Sequence, residues 1–124
     1  MLKRVVLVGH CGPDATYLRL AVDRALRDAH VTMADDEREL DRALAEGDVE
    51  LVLMNRQLDW GFKTDSGVDL IRELRTANPT VKFMLVSNFP ESQREAVLAG
   101  ALPGFGKREL GSPRVAELLR SALS

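Results

Sequence analysis

The stretch Leu51-Val52-Leu53-Met54-Asn55 decides the fold of this chain. Four consecutive apolar residues are typical of a short strand that is buried on both faces, as strands of a parallel sheet are. The run ends at Asn55, and the polar residues Arg56 and Gln57 follow it. The sequence therefore predicts a buried strand in the middle of the chain, with a polar side chain at its carboxyl end.

Further short apolar runs lie on both sides of this strand and alternate with helical patterns. We predict strands at Arg4–Val8, Val31–Ala34, Glu50–Met54, Val81–Val86 and Pro103–Gly106. Between them, apolar residues recur at spacings of three and four, which indicates amphipathic helices. Strands that alternate with helices pair in parallel through right-handed crossovers. The pattern predicts a three-layer α/β domain, and 2-1-3-4-5, the flavodoxin-like order, is the commonest strand order for five strands.

Several helix starts carry capping signals. Asp14 can cap the first helix, and Asp36 with Glu39 three residues later reads as a capping box for the second. Ser66 opens the third helix, and Ser112 precedes a proline at the start of the fifth. These signals support the division of the chain into five strand–helix units.

Length and composition limit the classes of function. With 124 residues the chain has the size of one domain, so we predict a single domain over residues 1–124. It carries 17 basic and 19 acidic residues, a balance that offers no electrostatic footprint for nucleic acid or an anionic membrane. Its apolar runs are far shorter than the roughly 20 residues that span a bilayer. One cysteine excludes an internal disulfide and fits a reducing compartment, so we expect a cytoplasmic protein.

Five motifs, in order along the whole chain, resemble those of response-regulator receiver domains. Asn55 stands where that family has the aspartate that accepts a phosphoryl group. Asp65-Ser66-Gly67 resembles the motif that opens helix three, and Ala99-Gly100-Ala101 the turn after helix four. Ser87 ends strand four, where the family keeps serine or threonine, and Lys107 ends strand five, where the family has a lysine that contacts the phosphoryl group. The resemblance implies a receiver fold and a role in bacterial two-component signal transduction.

The departures from the family pattern fall on the chemistry. An amide such as Asn55 is a poor nucleophile. The family places a magnesium-binding acidic pair after strand one, whereas this chain has Gly9-His10-Cys11-Gly12-Pro13. Either His10 and Cys11 or Gly9 and His10 replace the pair, depending on the register, and neither choice supplies the oxygen ligands that magnesium prefers. We therefore expect no bound metal, no cofactor and no enzymatic activity. The vestigial acceptor pocket is predicted at His10, Cys11, Asn55, Ser87 and Lys107.

The connection after strand three is long and aromatic. Gly67 lies twelve residues after Asn55, and the segment between them contains Trp60-Gly61-Phe62-Lys63. Aromatic side chains flanked by glycine and charged residues are typical of binding hot spots. Trp60 and Phe62 are therefore predicted to contact a protein partner. The alternative is that the loop folds back and Trp60 covers the empty pocket as a lid.

The leading hypothesis is an atypical, phosphorylation-independent receiver-like domain that acts by protein–protein interaction with an unidentified partner. The alternative is a small-ligand or metal-responsive sensor that uses the Gly9–Asp14 loop with Asn55 and Lys107. A more remote alternative is a phosphotransfer enzyme that depends on Cys11. The family's usual dimer face, formed by helix four, strand five and helix five, makes a homodimer through that face a candidate, although Glu91–Ser124 shows no unusual exposed apolar stripe.

Overall fold

A computed structural model describes residues 3–124 and contains a five-stranded sheet. The strand order is β2-β1-β3-β4-β5, and every neighbouring pair is parallel, so the predicted flavodoxin-like order is confirmed. The observed ends differ from the predicted ones by no more than two residues. The strands are β1 (Lys3–Val8), β2 (Ala29–Ala34), β3 (Val49–Asn55), β4 (Lys82–Val86) and β5 (Leu102–Phe105).

Helices cover both faces of this sheet and complete the three predicted layers. They are α1 (Gly12–Ala25), α2 (Glu37–Ala45), α3 (Gly67–Ala77), α4 (Pro90–Leu98) and α5 (Pro113–Leu123). Helices α1 and α5 pack on one face in a cluster that includes Leu18 and Leu119, and α2, α3 and α4 pack on the other with Leu40 and Ile71. The protein therefore has two apolar cores separated by the sheet.

The central strand β3 belongs to both cores. Leu51 and Leu53 point into the α1–α5 core, and Val52 and Met54 point into the opposite one. All four side chains are fully buried, which is why the sequence of this strand shows no alternation. Asn55 is the first residue of the run to reach solvent, at the edge of the sheet where the parallel strands end.

Helix α1 starts differently from the prediction. The N-cap is Cys11, which makes no side-chain capping bond, and Pro13 occupies the first turn. Asp14 also lies within this turn, so the prediction that Asp14 caps the helix is wrong. At α2, by contrast, the Asp36 carboxylate accepts a bond from the Glu39 N–H at 2.8 Å, as predicted. The Glu39 carboxylate accepts its bond from the Asp35 N–H instead of completing the box on Asp36.

Helix α4 carries an exposed apolar surface that the sequence analysis did not expect. Its buried contact with the sheet is Ala96, whereas Val97 and Leu98 are 45% and 87% exposed. The inward position is taken by Gln93, whose amide donates to the backbone oxygens of Leu85 and Ser87. Because this polar side chain occupies the space beneath the helix, the larger apolar residues face outward. No helix within residues 3–124 is long and apolar enough to cross a membrane.

Candidate functional site

The side chain of Asn55 is fixed at both ends of its amide. Its Nδ2 donates to the backbone oxygens of Gly9 at 3.1 Å and Gln57 at 2.8 Å. Its Oδ1 accepts a longer bond, 3.4 Å, from the Lys107 ammonium. A carboxylate in this position would direct an oxygen at two carbonyl oxygens, which offer it no proton. The surroundings of residue 55 therefore suit an amide.

Two glycines let the neighbouring segments approach Asn55. Gly9 has a φ of +76°, and a Cβ on it would come within 2.5 Å of the Leu58 side chain. A Cβ on Gly67 would come within 2.0 Å of the Asn55 carbonyl oxygen. The positive φ favours glycine at position 9, and at position 67 any other residue would displace the backbone of β3. The loop after β1 and the start of α3 thus enclose the end of β3.

Lys107 is held by a carboxylate that the sequence analysis did not assign to the pocket. Its Nζ donates to Asp14 Oδ2 at 2.6 Å, and both side chains are about one-third exposed. The Lys107 hydrogen bond, followed by that from the Cys11 thiol, holds the pKa of Asp14 below its ordinary value. Asp14 reaches the site from the first turn of α1, whose start lies at the same edge of the sheet as the end of β5. The sequence signal that could have assigned Asp14 to the site is its position in the first turn of the first predicted helix.

His10 lies beneath the site. Its side chain is 6% exposed, and its Nε2 donates to the Leu53 backbone oxygen at 2.9 Å. Burial lowers the pKa of His10 to about 4. The hydrogen bond to Leu53 opposes this shift, and the nearby Lys107 ammonium adds to it. The imidazole is therefore neutral at pH 7 and serves as a donor inside the protein. Its Nδ1 has no hydrogen-bond partner among the described residues.

Ser87 and Lys107 line an open cavity of about 250 Å³ with Asn55. Ser87 is buried, and its Oγ accepts the Phe89 N–H at 3.1 Å. Arg56 also lines the cavity, with its guanidinium carbon 4.8 Å from the centroid of the Phe89 ring. The predicted pocket residues Asn55, Ser87 and Lys107 are thus brought together, whereas His10 and the exposed Cys11 do not line this cavity. The lining contains two cations and no carboxylate.

These residues do not fit a magnesium site of the kind that receiver domains use. Magnesium requires several oxygen ligands in octahedral geometry. The end of β1 supplies His10 and Cys11, and the nearby carboxylate of Asp14 is engaged by Lys107. Within residues 3–124, no three histidine, cysteine or acidic side chains converge to hold a metal ion.

The connection between β3 and α3 is a compact loop tied down at its base. Gln57 and Ser66 form an antiparallel bridge between its two ends. At its tip the Gly61 N–H donates to the Asp59 carboxylate at 2.9 Å, and the Gly61 oxygen accepts the Glu37 N–H at 2.9 Å. The loop is therefore anchored to the start of α2.

Its two aromatic side chains have different environments. Phe62 is 6% exposed and belongs to the core beneath α2 and α3, so the prediction that it contacts a partner is wrong. Trp60 is 96% exposed and does not line the cavity beside Asn55, so the lid alternative is also wrong. The reason is that the loop turns toward α2, which buries Phe62 and leaves the indole in solvent.

Comparison with solved structures finds the same fold in receiver domains. A response regulator from Thermotoga maritima has a TM-score of 0.75 and 23% identity, with 99% of this chain and 98% of that one covered. The signal receiver domain of a DNA-binding response regulator protein (merR) from Colwellia psychrerythraea 34H has a TM-score of 0.73 and 15% identity, with 96% of each chain covered. The fold is a receiver fold.

A third receiver structure is a solution dimer. It is the beryllofluoride-activated NtrC4 receiver domain, with a TM-score of 0.74, 17% identity and coverage of 98% of this chain and 97% of that one. No protein-family model matches the sequence, and no curated protein matches it. At these identities the similarity establishes the fold, and the function must be argued from the site.

Proposed function

We propose that this chain is an atypical receiver-like domain of two-component-type signalling that acts through protein contacts without being phosphorylated. In this proposal residues 1–124 form a single cytoplasmic domain without catalytic activity. The observation that carries it is the amide of Asn55, which donates to two backbone oxygens and accepts from Lys107. A residue held in this way offers no free nucleophilic oxygen to a phosphoryl donor.

The ion pair beside Asn55 supports the same proposal. In a phosphorylatable receiver the conserved lysine must be available to the phosphoryl group. Here Lys107 already has a carboxylate partner, Asp14, at 2.6 Å. The pair keeps the end of β5 joined to the start of α1 without a metal ion. This direct contact between two segments of the site suits a domain that presents a constant surface to its partner.

Treatment with acetyl phosphate and magnesium tests the absence of phosphorylation. We expect no phosphoryl group on the intact protein by mass spectrometry, and no magnesium-dependent shifts in the NMR spectrum with beryllofluoride, because both reactions need a carboxylate at position 55 and metal ligands at the end of β1. A phosphorylatable receiver treated in parallel is the positive control. Magnesium-dependent phosphorylation of Asp14, Asp59 or Asp65 would contradict the proposal.

The cavity supports a second candidate function, a sensor of small anions. Arg56, Lys107 and the Ser87 hydroxyl line it, and none of its lining residues is acidic. Two cationic side chains beside a hydroxyl group are suited to bind phosphate or a carboxylate. The Gly9–Asp14 loop does not line the cavity, so this candidate rests on Asn55 and the segments after β3 and β4. Titration with inorganic phosphate should shift the amide signals of Arg56 and Ser87, and Arg56→Gln should weaken this response while Arg94→Gln leaves it unchanged.

Two of the exposed apolar surfaces are candidates for the protein contacts. One is Trp60, and the other is the exposed apolar face of α4 with its neighbours β5 and α5. The resemblance to receiver domains implies a homodimer through this second face, and this remains a prediction for the present chain. The two surfaces differ in shape, because the first projects and the second is a groove.

A further inference from the structure

The projecting surface is the indole of Trp60. Its 96% exposure is unusual for the largest apolar side chain, and the loop that carries it is anchored by the Gln57–Ser66 bridge and by α2. An aromatic side chain on a fixed loop loses little conformational freedom when it binds, and tryptophan is enriched among interface residues that dominate affinity. Trp60 therefore has the properties of an anchor that inserts into a partner.

A matching groove lies between α4, β5 and the start of α5. It has a volume of about 440 Å³ and is lined on its apolar side by Val97, Leu98 and Pro103. The side chains of Arg94 and Arg114 line it as well, and no lining residue is acidic. Arg114 is paired with Glu109 at 2.7 Å, while Arg94 makes no ion pair within residues 3–124. The groove thus combines apolar walls with an unpaired cation.

The surroundings of Trp60 carry the opposite charge. The loop is fastened beside Asp35 and Asp36, and Asp59 precedes the indole. Burial, and then the nearby carboxylates of Glu39, Asp36 and Asp59, raises the pKa of Asp35, and these four acidic side chains lie together at this end of the molecule. The three aspartates beside Gly61 give the base of this loop a negative charge, which complements a groove whose charged lining residues are arginines.

We propose that the partner of Trp60 is a second copy of this chain and that the indole inserts into the α4–β5–α5 groove of that copy. This inference rests on the proposed function, because it identifies the protein that Trp60 contacts. The indole can bury about 150–250 Å² of surface, and Arg94 would lie beside its π face. The groove follows β5 and the loop adjoins the end of β2, which are the opposite edges of the sheet.

The symmetry of such a contact differs from that of a receiver dimer. Each copy uses its loop on one side and its groove on the other, so the contact is heterologous. A heterologous contact leaves one unused loop and one unused groove on every dimer, and further copies add until the chain of molecules closes into a ring or extends. We therefore expect assemblies larger than a dimer at high protein concentration.

Two single variants and their mixture test the inference. Trp60→Ala removes the anchor but keeps the groove, and Leu98→Asp blocks the groove but keeps the anchor. In sedimentation equilibrium each variant alone should be monomeric, with self-association weakened at least roughly tenfold relative to the unchanged protein. An equimolar mixture should form a 1:1 dimer and nothing larger, since only one productive contact remains.

Matched controls separate this contact from general loss of surface. Tyr17→Ala and Leu20→Asp change exposed apolar residues of α1, at 61% and 45% exposure, and should leave the association unchanged. Circular dichroism of every variant checks that the fold is retained. A monomeric unchanged protein overturns the inference, as does a dimer that is lost in Leu98→Asp but kept in Trp60→Ala, which is the pattern of a symmetric α4–β5–α5 interface. Both results leave the phosphorylation experiment as an independent test of the proposed function.

Discussion

The difference between an aspartate and an asparagine at position 55 reaches beyond the loss of a nucleophile. The Nδ2 group of Asn55 joins the Gly9 and Gln57 backbone oxygens, which belong to the segments following β1 and β3. It therefore connects two segments that carboxylates and a metal ion hold in receiver domains. A neutral amide achieves this without requiring compensation by a second charge.

Asn55→Asp is expected to destabilise the protein without restoring phosphorylation. The new carboxylate loses both donated hydrogen bonds and faces two backbone oxygens, which should lower the free energy of unfolding by about 1–3 kcal/mol. The attraction between the new carboxylate and the Lys107 ammonium offsets only part of this loss, because Lys107 is also bound by Asp14. Urea denaturation at pH 7 measures the change.

Asn88→Asp is the matched control for that substitution. Asn88 uses its Oδ1 to accept the Arg108 N–H at 3.2 Å, and a carboxylate can accept the same bond. This variant should change the free energy of unfolding by no more than about 0.5 kcal/mol. An Asn55→Asp variant that is as stable as the unchanged protein would show that the two donated bonds of the amide do not matter.

The Asp14–Lys107 pair has a smaller energetic weight than its position suggests. Both side chains are about one-third exposed, so water screens their attraction. Pairs of this kind contribute between zero and about 1 kcal/mol. The pair fixes the location of the Lys107 ammonium beside Asn55.

At the level of elements, the β3–α3 connection places two aromatic residues in different environments although they are only two positions apart in the sequence. Phe62 enters the core on the α2–α3 side, and Trp60 stays in solvent. The first residue contributes to the apolar core, and the second makes little contact with the rest of the protein.

Alanine substitutions of the two aromatic residues should have opposite consequences. Phe62→Ala leaves a cavity beneath α2 and α3 and should cost about 3 kcal/mol of unfolding free energy. Trp60→Ala removes a side chain with few contacts and should change the unfolding free energy by no more than about 0.5 kcal/mol. Thermal and urea unfolding of the two variants provide the measurement. An equal loss of stability in both would mean that the indole packs against the protein.

The strands β1, β3 and β4 were predictable from the sequence because each contains a continuous apolar run with a turn or loop at its end. The loop environments were not, since the positions of Trp60 and Phe62 follow no helix or strand period. The outward direction of Val97 and Leu98 was not predictable either. It depends on the hydrogen bonds from the Gln93 amide to the backbone of β4 and of the residue that follows it. A sequence pattern records apolarity, whereas these outcomes depend on which polar side chain reaches a particular carbonyl.

Part of the candidate site was predictable from the positions of the strand ends. Asn55, Ser87 and Lys107 come at or just after the ends of β3, β4 and β5, and parallel strands bring their ends to one edge. Asp14 was missed as a member of the site because it belongs to a helical turn and its partner is far away in sequence. His10 was placed in the pocket, but the turn at Gly9 directs it beneath the sheet edge toward Leu53.

For the molecule as a whole, the buried His10 links global stability to pH. The folded protein holds the pKa of this imidazole at about 4, against 6.5 in its ordinary state. Between these values the unfolded chain binds a proton that the folded protein does not bind, so acid favours unfolding. The contribution of the neutral His10 to the free energy of unfolding is fully present above pH 6.5. It decreases as the pH approaches 4, by up to about 3 kcal/mol for this one group.

Unfolding by urea at several pH values between about 7.5 and 4.5 measures this dependence. We expect the free energy of unfolding to decline toward the acid end, and His10→Gln to flatten the curve because glutamine can donate to Leu53 without taking up a proton. His30→Gln, at an exposed position of β2, should keep the full dependence. The depressed pKa of Asp14 affects stability only at lower pH, below its ordinary value of 3.8. A curve that is equally steep in His10→Gln would assign the acid sensitivity to the carboxylates, and the neutral buried imidazole would then have no part in it.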